Sequence, residues 1–130
     1  MDAEGAGRED SMIFEFQAPC HPWSINAERN HHWSWRAEKA KLWREAAFWA
    51  WKQSAPKDWT QPKCRVTVKL PVRDSRRRDP HNYGGAVKAL VDGLVDAGCW
   101  PDDTPEFVVV GEVSLLPRRE GIVSVRLEEL

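Results

Sequence analysis

At 130 residues, with 42% hydrophobic and 30% charged residues, the chain has the size and composition of one globular domain. No apolar run approaches the ~20 residues of a membrane span, and the acidic start Met1-Asp2-Ala3-Glu4 lacks the layout of a signal peptide, so no membrane partner is expected. A net charge of −1 argues against a uniformly basic nucleic-acid binder, but the charge is unevenly spread. Residues 63–88 carry +6, residues 1–10 carry −3 and residues 102–130 carry −4, which polarises the chain and would confine a nucleic-acid face to one side. Cys20, Cys64 and Cys99 are odd in number and lack metal-ligand spacing, which reads as reduced thiols in the cytoplasm, with Cys64 and Cys99 in the core. Eight tryptophans are the strongest compositional deviation.

Residues 1–10, acidic and Gly-containing, read as a disordered tail, leaving 11–130 as the folded domain. Met12, Phe14, Phe16 and Ala18 alternate as a first strand, which Pro19 and Pro22 end. Trp23-Ser24-Ile25-Asn26 then leads into a loop containing His31 and His32. From Ser34 to Ser54 the chain reads as a helix with Ala40, Trp43, Ala47, Ala50 and Trp51 within one face, closed by Pro56. Cys64, Val66, Val68, Leu70 and Val72 alternate with Arg65, Thr67 and Lys69, the clearest strand in the chain. A second helix runs to Ala97 with Val87, Leu90, Val91, Leu94 and Val95 on one stripe and Gly98 as its cap. Asp79 and Pro80 suit its start, although Gly84-Gly85 would weaken a helix begun so early. Strands over 107–116 and 122–127 follow, joined around Arg118-Arg119-Glu120-Gly121. The order βαβαββ, with one core, predicts a single α+β domain: a mixed sheet packed by two helices.

The chemistry concentrates in Arg76-Arg77-Arg78-Asp79-Pro80-His81-Asn82, answered by Asp102-Asp103 after the second helix. Taken singly, the arginines are a solvated loop, Asp79 a helix cap and Asp102-Asp103 a turn. Together they put cations suited to phosphate beside carboxylates suited to a divalent metal, provided the two ends of the helix meet. Trp43, Trp49 and Trp51 suit a core or a dimer interface, while Trp23, Trp33 and Trp35 either pack or clamp DNA. His31-His32 has no acidic or cysteine partner spaced for a metal, and Trp100 suits a packing anchor.

Arg-Arg-Arg-Asp-Pro-His-Asn, a helical Lys and then Asp92-Gly-Leu-Val-Asp-Ala-Gly-Cys-Trp-Pro-Asp-Asp103 resemble the RusA family of Holliday junction resolvases. Pro22-Trp23-Ser24-Ile25-Asn26 is similar to that family's Pro-Ser-x-Asn segment, and the likeness spans residues 12–129, closest to the actinobacterial and phage variants. The resemblance implies a homodimeric α+β endodeoxyribonuclease, dependent on Mg²⁺ or Mn²⁺, that cuts branched DNA such as four-way junctions. On matching positions it implies metal ligation by Asp79 and Asp103 assisted by Asp102, and a catalytic lysine at Lys88 when three extra residues are allowed between Tyr83 and Val87. DNA-backbone contacts then fall to Lys69, Arg73, Arg76, Arg77 and Arg78. The departure is His81, where the better-studied members of the family carry a second Asp: it ligates a metal that accepts imidazole, binds phosphate or shuttles a proton, or marks a catalytically impaired DNA-binding module.

Overall fold

The computed structural model describes residues 11–117 and 120–130. The predicted tail over 1–10 and the residues Arg118 and Arg119 of the last turn lie outside them. The described chain is α+β, with one four-stranded mixed sheet and three helices. Its elements are β1 (Ser11–Gln17), α1 (Ile25–Arg29), α2 (Trp33–Ser54), β2 (Cys64–Val72), a 3-10 turn (Pro80–Tyr83), α3 (Gly84–Asp96), β3 (Val108–Pro117) and β4 (Ile122–Glu129).

The sheet order is β1-β4-β2-β3. β4 runs antiparallel to both β1 and β2, whereas β2 and β3 are parallel. A parallel pair cannot close through a hairpin and needs a long crossover. The segment through the 3-10 turn and α3 supplies it, which brings everything between Arg73 and Phe107 to the β2–β3 side of the sheet.

The alternation of β2 separates its two faces as the sequence predicts. Cys64, Val66, Val68 and Leu70 have no exposed surface, while Arg65 and Lys69 on the opposite face are exposed. Helices α2 and α3 cover the apolar face. Trp43 and Trp51 of α2 are buried, with Trp43 edge-to-face against Phe16 and Trp23, and Trp51 against Phe14. Burying such aromatics removes ~150–250 Å² each from water, so these two residues and Trp100 carry much of the hydrophobic driving force. Trp100 anchors the turn after α3 by donating from Nε1 to Pro62 O at 2.9 Å. Cys64 and Cys99 are both buried, as predicted.

Four details differ from the sequence expectation. The loop after Trp23 contains the short helix α1, capped by Ser24, whose Oγ accepts from Ala27 N at 3.2 Å. Five residues are too few to show a 3.6-residue period, so only the cap could have announced it. The second long helix begins at Gly84; the preceding residues Pro80–Tyr83 form a 3-10 turn capped by Asp79. Trp49 is 62% and Trp33 68% exposed, which removes the core alternative for each and leaves the other one open. Finally, the register of β2 and β3 slips between Val66↔Val110 and Val68↔Val113, so Gly111 and Glu112 face the single residue Thr67. This bulge reverses the alternation of β3, turning Val113 and Leu115 towards the core where strict alternation from Val108 would have placed Ser114.

Two close approaches set the position of α3. A Cβ on Gly93 would lie 2.2 Å from Arg44 O and 2.9 Å from the Ala47 Cβ, so α2 and α3 touch there backbone to backbone. A Cβ on Gly85 would meet Glu28 Oε2 at 2.6 Å and Trp23 Nε1 at 2.8 Å, so the glycine that weakens the helix start is also what seats α1 against it. Beside the Gly93 contact, Arg44 pairs with Asp96 through two hydrogen bonds. No helix among the described residues is long and apolar enough to cross a membrane.

Candidate functional site

Asp103, at the second end of the motif, meets the helix that lies between the two ends. After α3 the chain doubles back along the helix, and Asp103 Oδ2 accepts a hydrogen bond from Lys88 Nζ at 2.8 Å. Lys88 also donates to Asp92 Oδ1, four residues on, at 2.7 Å. One ammonium is therefore held between two carboxylates. Both ion pairs are partly open to solvent, with side-chain exposures of 63% for Lys88, 35% for Asp103 and 24% for Asp92. Hydrogen bonding to Asp103, and then to Asp92, raises the Lys88 pKa above its ordinary value. The same bond from Lys88 holds the Asp103 carboxyl below the usual carboxylate range.

Lys88 and Asp103 open onto a cavity of about 600 Å³. His81 and Pro80 of the 3-10 turn stand on one side, and the β3 bulge with Gly111 and Glu112 on the other. Val87, Val91 and Val108 form its apolar wall. A large cavity with an apolar wall and few convergent polar groups is the usual form of a ligand site. A cation at its mouth can stabilise an anionic group entering it.

The other predicted residues are placed differently. Asp79 caps the 3-10 turn: its Oδ1 accepts from His81 N at 3.0 Å and lies 3.4 Å from His81 Nδ1. Neither Asp79 nor Asp102 lines the cavity, and Asp102 Oδ1 accepts from Asp103 N at 2.7 Å, which fixes the acidic turn. The His81 side chain is 94% exposed. Lys69 projects from the uncovered face of β2 and lines neither this cavity nor the one beside the arginines. Arg73, Arg76 and Arg78 converge on that second cavity, and Arg77 does not.

Asp92, Glu112 and His21 were not singled out from the sequence. Asp92 had a signal, since a Lys and an Asp at i and i+4 share one helix face. Glu112 reaches the cavity through the bulge, and His21 stands beside the arginines by tertiary packing alone. His31 and His32 are used locally. Nδ1 of His31 lies 2.7 Å from Ala27 O while its ring stacks on Trp35, and Nδ1 of His32 accepts from Ser34 N as the cap of α2.

Among the described residues, no three His, Cys, Asp or Glu side chains stand together as a ready-made metal group. Of the four predicted ligands, Asp103 and His81 line the cavity, and a carboxylate oxygen is a donor that a hard divalent cation accepts. Asp92 Oδ1 and Asp103 Oδ2 already converge on one cation, the Lys88 ammonium, and His81 faces the same cavity. No protein-family model matches the sequence, and no curated protein matches it either.

Proposed function

We propose that the chain is a Mg²⁺- or Mn²⁺-dependent endodeoxyribonuclease that cuts branched DNA, four-way junctions in particular, as a homodimer. The observation that carries this reading is the 2.8 Å contact between Lys88 and Asp103 at a cavity flanked by His81, next to a loop of arginines. It joins a cation and an acid that the sequence holds fifteen residues apart. In this reading Asp103 would hold the ion with His81 facing the same cavity, whereas Asp79 and Asp102, the other ligands the resemblance implies, do not line it. A bound ion would supply polarisation of a phosphoryl oxygen and a water of lowered pKa. Lys88, held by Asp92, donates to the phosphoryl oxygens as negative charge builds there. Arg73, Arg76 and Arg78 carry the DNA backbone, whereas Arg77 and Lys69, which the resemblance also implies, line neither cavity. Two strands related by a two-fold axis need two identical sites, which a two-fold dimer of one sequence supplies.

The test is incubation of a synthetic four-way junction with Mg²⁺ and with Mn²⁺. Paired symmetric nicks, absent in Asp103→Asn, are the expected result. Equal cutting of a linear duplex of the same sequence would remove junction selectivity from the proposal.

A second reading, a DNA-binding module that has lost catalysis, is favoured by one observation: Asp79 caps the 3-10 turn and stands outside the cavity that Asp103 lines. Mn²⁺ titration separates the two. Binding that depends on Asp103 supports the enzyme; junction binding without Mn²⁺ binding supports the module.

A further inference from the structure

The cavity beside the arginines has a composition that the site above does not use. His21, Arg73, Arg76, Arg78 and Tyr83 line about 210 Å³, and no acidic side chain is among the lining residues. They come from three segments: the stretch after β1, the loop after β2 and the 3-10 turn. Buried Pro22 and Val72 close it from below. Asp74 offsets two of the three guanidinium groups, with Arg78 Nη2 at 3.0 Å and Arg76 Nε at 3.8 Å from its Oδ1, and an anion in the cavity would add to that attraction.

Of the three arginines Arg78 is held in place, whereas the Arg76 side chain is 70% exposed. Arg78 is the least exposed, at 15%, because its Nη1 donates to Asp74 O at 2.9 Å and to Arg76 O at 3.1 Å while Nη2 lies 3.0 Å from Asp74 Oδ1. Asp74 Oδ1 accepts in addition from Arg76 N at 3.0 Å, so one acid outside the cavity braces the loop that carries the cations. Donors fixed before the ligand arrives lose little entropy on binding it. The space lies below the ~300–1,000 Å³ of sites that enclose a whole small molecule, and suits a single tetrahedral anion. Guanidinium forks, an imidazole N–H and a phenol O–H are the donors that phosphoryl oxygens accept from.

We propose that His21, Arg73, Arg76, Arg78 and Tyr83 form a discrete seat for one phosphate of a nucleic-acid backbone. The 3-10 turn divides the seat from the Lys88–Asp103 cavity: Tyr83 lines the first, Pro80 and His81 the second. A strand crossing that turn leaves one phosphate in the seat and presents a neighbouring one to Lys88. The seat rests on the reading of this loop as a DNA-backbone contact, and not on hydrolysis. It assigns a role to His21 and Tyr83, and it separates Arg73, Arg76 and Arg78 from Arg77 and Lys69.

The test is fluorescence anisotropy of a labelled single-stranded oligonucleotide in EDTA over a range of salt, with and without a 5′-phosphate, alongside NMR titration with inorganic phosphate. Arg73→Gln and Arg78→Gln are each expected to weaken oligonucleotide binding about tenfold and to lower the log–log salt slope by about 0.7. His21→Gln weakens binding without changing the slope, and Arg77→Gln changes affinity less than about twofold. Equal binding with and without the 5′-phosphate supports a backbone diester; binding only with it overturns the backbone assignment in favour of a terminal-phosphate pocket. If Arg77→Gln and Lys69→Gln cost as much as Arg73→Gln, the charge acts diffusely and there is no seat. Native DNA binding that the seat variants leave intact overturns the seat and spares the DNA reading. Inorganic phosphate that shifts the His21 and Arg73 resonances of a protein with no affinity for DNA overturns the DNA reading and spares the seat as an anion site.

Discussion

Replacing Gly93 by alanine tests how the core positions the site. The added methyl would stand 2.2 Å from Arg44 O, a backbone atom that no rotamer change can move, and 2.9 Å from the Ala47 Cβ. Helices α2 and α3 must separate by roughly 1 Å to admit it, and overpacking of this kind costs about 3 kcal/mol at the upper end of its range. Alanine returns about 1 kcal/mol through its helix propensity. The expected net loss is about 2 kcal/mol, or roughly 8 °C in Tm for a domain of this size. Gly84→Ala is the control on the same helix: its Cβ meets nothing within 4 Å and its φ is −60°, so that variant should be neutral or more stable by up to about 1 kcal/mol. Urea denaturation followed by tryptophan fluorescence measures both. Because α3 carries Lys88 and Asp92, its displacement should also draw them from Asp103 and, under the proposed function, lower junction cleavage by up to about 100-fold. Equal stability of Gly93→Ala and Gly84→Ala would refute the backbone contact as the constraint on α3.

Lys88→Met should return the Asp103 carboxyl upward towards its ordinary pKa of 3.8, read by carboxyl ¹³C NMR. In the native chain this ion pair persists above that value and is lost only as pH falls through the lowered Asp103 pKa; at the alkaline end it is lost as pH rises through the raised Lys88 pKa, above 10.5. An unchanged Asp103 titration in Lys88→Met would contradict the contact. Asp96→Asn should cost about 0.5–1 kcal/mol, since its partner Arg44 is half exposed, and that difference from native should fade as pH falls through the Asp96 pKa, which Arg44 holds below 3.8. Among the thiols, half-buried Cys20 should react with Ellman's reagent first, because burial pushes Cys64 up to about 11 and Cys99 higher still. Fast labelling of Cys99 in the folded protein would mean that the region around Trp100 opens.

The strand over Cys64–Val72 and the two long helices were legible because their side chains repeat with the period of the backbone they occupy. The same local rules identified Gly98, which adopts φ 95° just past α3. Helix α1 escaped notice because a five-residue helix depends on its cap and on the Trp23–Glu28–Gly85 contact. The bulge at Gly111–Glu112 escaped because a register slip belongs to a pair of strands and neither strand carries it alone. Asp79 shows both levels at once: its sequence context announces a cap, and it is one, while any further role depends on neighbours brought from elsewhere.

By itself the sequence determined which segments are strands and helices, which faces are apolar, and which residue types could handle phosphate and metal, since each of these is a property of neighbours along the chain. Only the tertiary structure decided that β4 enters the sheet between β1 and β2, that Asp103 reaches Lys88, that Asp92 shares the same ammonium, and that His21 joins three arginines while Arg77 does not. Those pairings depend on how the parallel β2–β3 crossover folds back and on how closely α2 approaches α3. Such distances between segments arise from packing, and no local pattern of residues encodes them.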